Sequence, residues 1–193
     1  ADTTLTEPPE LVIEQVIKSD FNGYGIVCYD SASGFIEVYP NGGVLDYSYS
    51  WEKDGAGFGE DVSQLYGLES GIYNLTVTDY NNCTVLLSDT LESPPALELI
   101  VSSHNIDCSH EVMGSAMANV TGGVGELSYL WSNNQTTDSI LNLDVGEYGI
   151  TITDENGCII SGLAVIDQDP MLVIDIDILK EITCYGGSDG IMK

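Results

Sequence analysis

The stretch Leu68-Glu69-Ser70-Gly71-Ile72-Tyr73-Asn74-Leu75-Thr76-Val77-Thr78-Asp79 decides how this chain folds. After Gly71, residues Tyr73, Leu75 and Val77 fall on one side and Asn74, Thr76 and Thr78 on the other. That period of two is the signature of a half-buried β-strand leaving a tight turn. Cys83 follows Asp79 by four residues. The phrase then recurs as Leu143-Asp144-Val145-Gly146-Glu147-Tyr148-Gly149-Ile150-Thr151-Ile152-Thr153-Asp154, again with a cysteine, Cys158, four residues on. Tyr73 with Tyr148, and Cys83 with Cys158, share a single offset of 75. The chain is built on a repeated β-module.

Working outward, further pairs align. Pro8-Pro9 precedes Leu11-Val12-Ile13, and Pro94-Pro95 precedes Leu97-Glu98-Leu99-Ile100-Val101. Cys28, Gly42-Gly43 and Tyr49-Ser50-Trp51 match Cys108, Gly122-Gly123 and Tyr129-Leu130-Trp131, all at an offset of 80. The change of offset from 80 to 75 places five extra residues in the first copy, in the Gly-rich stretch 53–59, which is expected to be a loop. The first copy also has a longer lead-in to Cys28, containing Asn22-Gly23-Tyr24-Gly25. A third copy begins at Asp169-Pro170, with Cys184 at an offset of 76 from Cys108. The expected division is therefore 1–93 and 94–169 for two complete repeats and 170–193 for the start of a third, a window on a tandem array.

Each repeat offers short strands at regular spacing. They are expected near 11–18, 34–39, 45–51, 62–67, 72–78 and 83–90, then near 96–103, 112–121, 126–132, 138–142, 147–153 and 158–166. No segment carries apolar residues at helical spacing. The fold class that follows is all-β: tandem immunoglobulin-like Greek-key β-sandwiches, joined stiffly into a rod because the junctions contain Pro and no Gly/Ser tract.

Composition narrows the function. The 193 residues carry 31 acidic side chains against 4 lysines and no arginine, for a formal charge of −27. The acids divide evenly between the two halves, so the whole body is acidic. Such a surface repels DNA, RNA and anionic lipid, which excludes nucleic acid as a partner. No run of 18 apolar residues exists, so no membrane insertion by a helix is expected.

Five cysteines at repeating positions point to Cys28–Cys83 and Cys108–Cys158 as disulfides, with Cys184 left over. Cross-module pairings stay open, since spacing does not fix connectivity. Closing a loop of roughly 50 to 55 residues contributes roughly 4 kcal/mol, comparable with what a core of this size supplies alone. Such bonds place the protein in an oxidising compartment.

The other candidate sites have structural readings. Trp51 and Trp131 share strand faces with Tyr49 and Tyr129 and are expected in the core rather than as sugar-stacking platforms. Tyr73 and Tyr148, in Leu-x-x-Gly-x-Tyr, are expected to bond upstream backbone through their hydroxyls as tyrosine corners. Asp79-Tyr80-Asn81-Asn82 and Asp154-Glu155-Asn156-Gly157 look like partial Asp-x-Asn calcium loops without the distal glutamate. Asp79, Asp154 and Asn156 are thus weak candidates for loosely bound Ca²⁺, against a hairpin turn; no other cofactor is expected. His104-x3-Cys108-x-His110 has metal-like spacing, but the first repeat contains no histidine. Gly186-Gly187-Ser188-Asp189-Gly190 spells a nucleophile elbow, but no histidine follows it, so no enzyme is expected.

The ordered set Cys28, Gly34-Phe35-Ile36, Gly42-Gly43, Tyr49-x-Trp51, Leu68-x-x-Gly71-x-Tyr73, Val77-x-Asp79 and Asn82-Cys83 resembles the SprB repeat of cell-surface gliding-motility adhesins of Bacteroidetes. The second copy, from Cys108 to Cys158, resembles it too, and Cys184 to Gly190 is similar to the opening of a third. The resemblance implies type IX secretion and display on the exterior of the outer membrane of a Gram-negative bacterium. It also implies a non-catalytic role in adhesion and gliding. Its partners would be neighbouring repeats of the same chain, surface polysaccharide or the substratum, and the gliding and secretion machinery reached through the parent protein. Two alternatives are a carbohydrate-binding module using loops 52–61 and 133–138, and an accessory domain attached to a secreted enzyme.

Overall fold

A computed structural model describes residues 6–107, 112–168, 178–180 and 191–192. Each complete repeat folds as two facing antiparallel sheets. In the first module, β1 (Val12–Lys18), β2 (Gly34–Asn41) and β5 (Gln64–Leu68) form one sheet, in the order β1-β2-β5. The other holds β4 (Ala56–Gly57), β3 (Ser48–Lys53), β6 (Gly71–Thr78) and β7 (Thr84–Leu91), in that order. The chain changes sheet between β2 and β3, between β4 and β5, and between β5 and β6, which is the Greek-key crossing of an immunoglobulin-like sandwich.

The second module repeats this plan without a counterpart of β4 among the described residues. β8 (Glu98–His104), β9 (Gly114–Thr121) and β11 (Ser139–Leu143) face β10 (Ser128–Trp131), β12 (Gly146–Thr153) and β13 (Ile159–Ile166). The fold is all-β, and its strands lie within a few residues of where the alternation places them. Of the expected third repeat, β14 (Ile178–Lys180) and β15 (Ile191–Met192) are described and pair antiparallel. Cys108, His110, Cys184 and the stretch Gly186–Gly190 lie outside the described residues.

The Gly71–Thr78 stretch forms β6, with Tyr73, Leu75 and Val77 each at most 1% exposed. They meet Ile36 and Val38 across the sandwich, with Trp51 between the sheets at 2% exposed. In the second module Trp131 is 1% exposed and meets Ile150, Ile152, Ala116 and Ala118. Each indole finds its partner in a carbonyl of the segment that crosses to the facing sheet: Trp51 Nε1 donates to Val62 O, just before β5, and Trp131 Nε1 to Thr137 O, just before β11, both at 2.9 Å. A buried indole N–H requires such an acceptor.

The five-residue insertion differs from the expected loop. Asp54 and Gly55, at φ 52° and 81°, turn the chain so that β4 pairs with Glu52 and Lys53 of β3. Positive φ at both central residues is what a two-residue hairpin with native strand twist needs, and Asp-Gly meets it at low cost. The hairpin carries Phe58 edge-on to Tyr73, with ring centroids 6.0 Å apart. Tyr73 is thereby sealed, while Tyr148, with no equivalent hairpin, is only partly buried. Both hydroxyls donate to the backbone four residues upstream: Tyr73 to Glu69 O at 2.8 Å and Tyr148 to Asp144 O at 3.1 Å.

Candidate functional site: the junction between the modules

Asp79 ends β6 and holds the following turn together. Its Oδ1 accepts from the Cys83 amide at 2.8 Å and its Oδ2 from the Val44 amide at 2.9 Å. Its own amide donates to Cys83 O, and the Asn82 amide returns to Asp79 O. Asp154 makes the same set in the second module, with Cys158 N at 2.8 Å and Val124 N at 2.9 Å. These carboxylates are 5% and 6% exposed, and each oxygen already serves a backbone amide. The Val44 amide, aided by that of Cys83, holds the Asp79 carboxyl below its ordinary value against the upward push of burial. Among the described residues no group of three or more His, Cys, Asp or Glu side chains is arranged to hold a metal ion. Asp79 and Asp154, weak calcium candidates by sequence, clamp the Cys-bearing turn to the Gly-Gly turn.

The Gly-Gly turn also grips the incoming chain. Gly43 N donates to Pro9 O at 2.8 Å, and Gly123 N to Pro95 O at 3.0 Å. Gly42 and Gly122 have φ of 81° and 77°, and a Cβ would sit 1.9 Å from Glu10 O in the first case and 1.8 Å from Ala96 O in the second. Glycine is required there by both conformation and contact. The incoming Pro-Pro segment, the Gly-Gly turn, the buried Asp and the Cys-bearing turn therefore form one unit at the start of each module.

The end of the first module reaches into that unit on the second. Residues 19–33 form an arm anchored by Ile26, which is fully buried. Gly25 N and Ile26 N both donate to Glu92 O at the module's exit, and Ser19 Oγ donates to Gly25 O at 2.6 Å. The Asn22-Gly23 lead-in makes a tight turn between Phe21 and Tyr24, with both central residues at positive φ. Asn156, the third calcium candidate, bridges to this arm. Its Nδ2 donates to Val27 O at 3.1 Å and to Phe21 O at 3.3 Å, while its Oδ1 accepts from Asn22 Nδ2 at 2.6 Å. Beside it, Cys28 and Cys158 are joined, with S–S 2.04 Å and Cα atoms 5.7 Å apart. Cys158 Sγ also lies 3.3 Å from Val27 O, a contact only, since the bonded sulfur carries no proton.

The expected pairs Cys28–Cys83 and Cys108–Cys158 are thus corrected. Cys158 is committed to Cys28, and Cys83 is a free, exposed thiol. The reason is the polarity of β6. Gly71 pairs with Leu91 at one end and Thr78 with Thr84 at the other, a run of about 23 Å at the usual strand rise. Gly25 packs against Leu91 at the exit end, while Cys83 sits one residue before Thr84 at the incoming end. A disulfide needs Cα atoms within about 7 Å. The two cysteines of one module lie at opposite ends of it, and each can meet only a cysteine beyond that module.

Fold and site together define a tandem immunoglobulin-like β-sandwich protein with a covalent lock between consecutive modules. Comparison with solved structures returns matches at low identity. The C-terminal 282-residue fragment of intimin, solved with the intimin-binding domain of the translocated intimin receptor, aligns over 81% of this chain at 8% identity, with a TM-score of 0.44. The chain spans 64% of that fragment's length. An amphioxus IgVJ-C2 molecule aligns over 81% of this chain and 98% of its own at 14% identity, with a TM-score of 0.31. No protein-family model matches the chain, and no curated protein matches it.

Proposed function

We propose that the chain is a non-catalytic segment of a secreted cell-surface adhesin, in which disulfide-locked sandwich modules serve as a stiff spacer. The observation that carries this reading is the junction, where the Cys28–Cys158 bond and the Asn156 bridge join the exit of one module to the start of the next. A force-bearing or extending element needs fixed angles between its modules, and a bond across the junction supplies them. The Pro94-Pro95 linker adds stiffness, and the charge of −27 keeps such segments from collapsing on one another.

The sequence resemblance to SprB repeats narrows the setting. It supports type IX export, display outside the outer membrane of a Gram-negative bacterium, and service in gliding motility. Partners on this reading are neighbouring modules, with polysaccharide or substratum contacted weakly and many times along a filament. Any Ca²⁺ is held loosely by the acidic surface and does not define the fold.

Small-angle scattering of the chain with and without Cys28→Ser tests the spacer reading. The wild type is expected to give a single narrow distribution of intermodule geometries, which broadens in the variant while both sandwiches stay folded. An unchanged distribution overturns the lock as the source of stiffness. Saturable binding of the chain to a glycan array, lost on substitution in loops 52–61 or 133–138, overturns the spacer role itself.

A further inference from the structure

The docking turn occurs twice, and the two copies differ in occupancy. In the second module, Asn156 and Cys158 are half-buried against the arm of the first. In the first module, Asn81 and Cys83 occupy the same two positions, at the common offset of 75, and both are exposed. The turn that presents them is the same: Asp79 caps Cys83 as Asp154 caps Cys158, and Tyr80 N donates to Val44 O as Glu155 N donates to Val124 O, each at 3.0 Å. The start of the arm, up to the residue matching Ile26, is also repeated. Ile106 N donates to Asp167 O at the exit of the second module, as Ile26 N does to Glu92 O at the exit of the first. Cys108 follows Ile106 by two residues, as Cys28 follows Ile26.

We propose that the Asn81–Cys83 turn is the acceptor site for a second copy of this module, which docks its Cys28-type arm there and forms an intermodule disulfide with Cys83. The occupied junction supplies the chemistry on both sides. Asn81 donates to backbone carbonyls of the arm and accepts from its Asn side chain where the arm carries one, and Cys83 lies where the arm's cysteine arrives. Because arm and acceptor sit at opposite ends of a module, the contact is head-to-tail and open-ended, so it propagates along a filament instead of closing a dimer. Each bond forms by thiol–disulfide exchange with a small disulfide oxidant. The arm thiol first forms a mixed disulfide with one glutathione of oxidised glutathione and releases the other. The Cys83 thiolate then attacks the arm sulfur and expels the second. Two thiols and one oxidised glutathione thus give one protein disulfide and two reduced glutathiones.

Oxidation of the concentrated full chain in a glutathione buffer, with Cys184→Ser as background, tests this. In that chain the arm-type thiol is Cys108 and the acceptor is Cys83. The expected result is a reductant-sensitive ladder of oligomers whose peptide map joins Cys83 to Cys108, with Cys28–Cys158 intact. Asn81→Ala is expected to slow ladder growth on the order of tenfold, the loss of a pair of hydrogen bonds, without changing the Cys28–Cys158 peptide. Coupling of Cys83 to Cys83 is what an exposed thiol does without a docking site, and it overturns the proposal. So does a Cys83 that stays fully alkylatable, or a ladder indifferent to Asn81→Ala.

Discussion

The two modules share one plan and differ in what covers it. In the first, the Asp54-Gly55 hairpin seals Tyr73 beneath Phe58, and the Asn81–Cys83 turn is open. In the second, the hairpin is missing and Tyr148 is partly bare, yet the equivalent turn is closed by the neighbour's arm. The cores differ in the same spirit. Ile36 and Val38 of β2 fill the first sandwich, whereas Ala116 and Ala118 stand in their places on β9. Residues set by the fold itself (the tryptophans, the Gly-Gly turn, the buried aspartate) are the same in both copies. Apart from that exchange within the core, the differences between the copies (the hairpin over Tyr73 and the open or covered Cys-bearing turn) lie at the edges, where a module meets solvent or another module.

The largest effect should be common to both copies. Trp51→Ala and Trp131→Ala each remove a side chain lying between two sheets and are expected to cost about 3–5 kcal/mol in denaturant unfolding. A loss under about 1 kcal/mol in either module would mean that its tryptophan does not organise the core. The Gly-Gly turn comes next. Gly42→Ala and Gly122→Ala each drive a Cβ into the incoming backbone at positive φ and should cost about 2 kcal/mol or more. Gly157→Ala, also at positive φ but with open space around it, should cost about 1 kcal/mol. Equal losses at all three positions would show that conformation alone matters and that the grip on the incoming chain is incidental.

The tyrosines separate the copies. Tyr73→Phe removes a half-buried hydrogen bond to Glu69 O and is expected to cost about 1 kcal/mol. Tyr148→Phe, whose acceptor water can reach, should cost distinctly less. Phe58→Ala should bring the two values together, and thermal melts of the variants would read this directly. The smallest effect is confined to acid. The folded carboxyl of Asp79 titrates below its ordinary value of 3.8, so its contribution is present above that value and is lost as pH falls through the folded one. Stability of the wild type should therefore drop more steeply below about pH 4 than that of Asp79→Asn, with parallel curves above. Parallel curves throughout would contradict the clamp.

Much of this architecture can be read from the residues because repetition doubles every signal. Period-two alternation in 72–78 and 147–153 defines β6 and β12, and the offset change from 80 to 75 locates the β4 hairpin. That the inserted stretch folds back as a strand is also written there, in Asp54-Gly55. The junction is legible only in part. In a tandem array, a cysteine pair within one repeat and a pair between neighbours have the same residues at the same repeat positions. What distinguishes them is which end of the sandwich each cysteine occupies. Cys83 directly precedes the strand that begins at Thr84, which places it at the incoming end; nothing as local fixes Cys28, whose arm is irregular and held by Ile26 and Glu92. Asn156 stands out in the sequence for its calcium-like spacing, although its amide is used on backbone carbonyls of the other module.

The central claim is that the cysteines join modules to one another and do not staple each module internally. Peptide mapping of the oxidised, unreduced chain by mass spectrometry, after alkylation of free thiols, tests it most directly. The account predicts a peptide pair joining Cys28 to Cys158, with Cys83 alkylated in the monomer. A peptide pair joining Cys28 to Cys83 would contradict it.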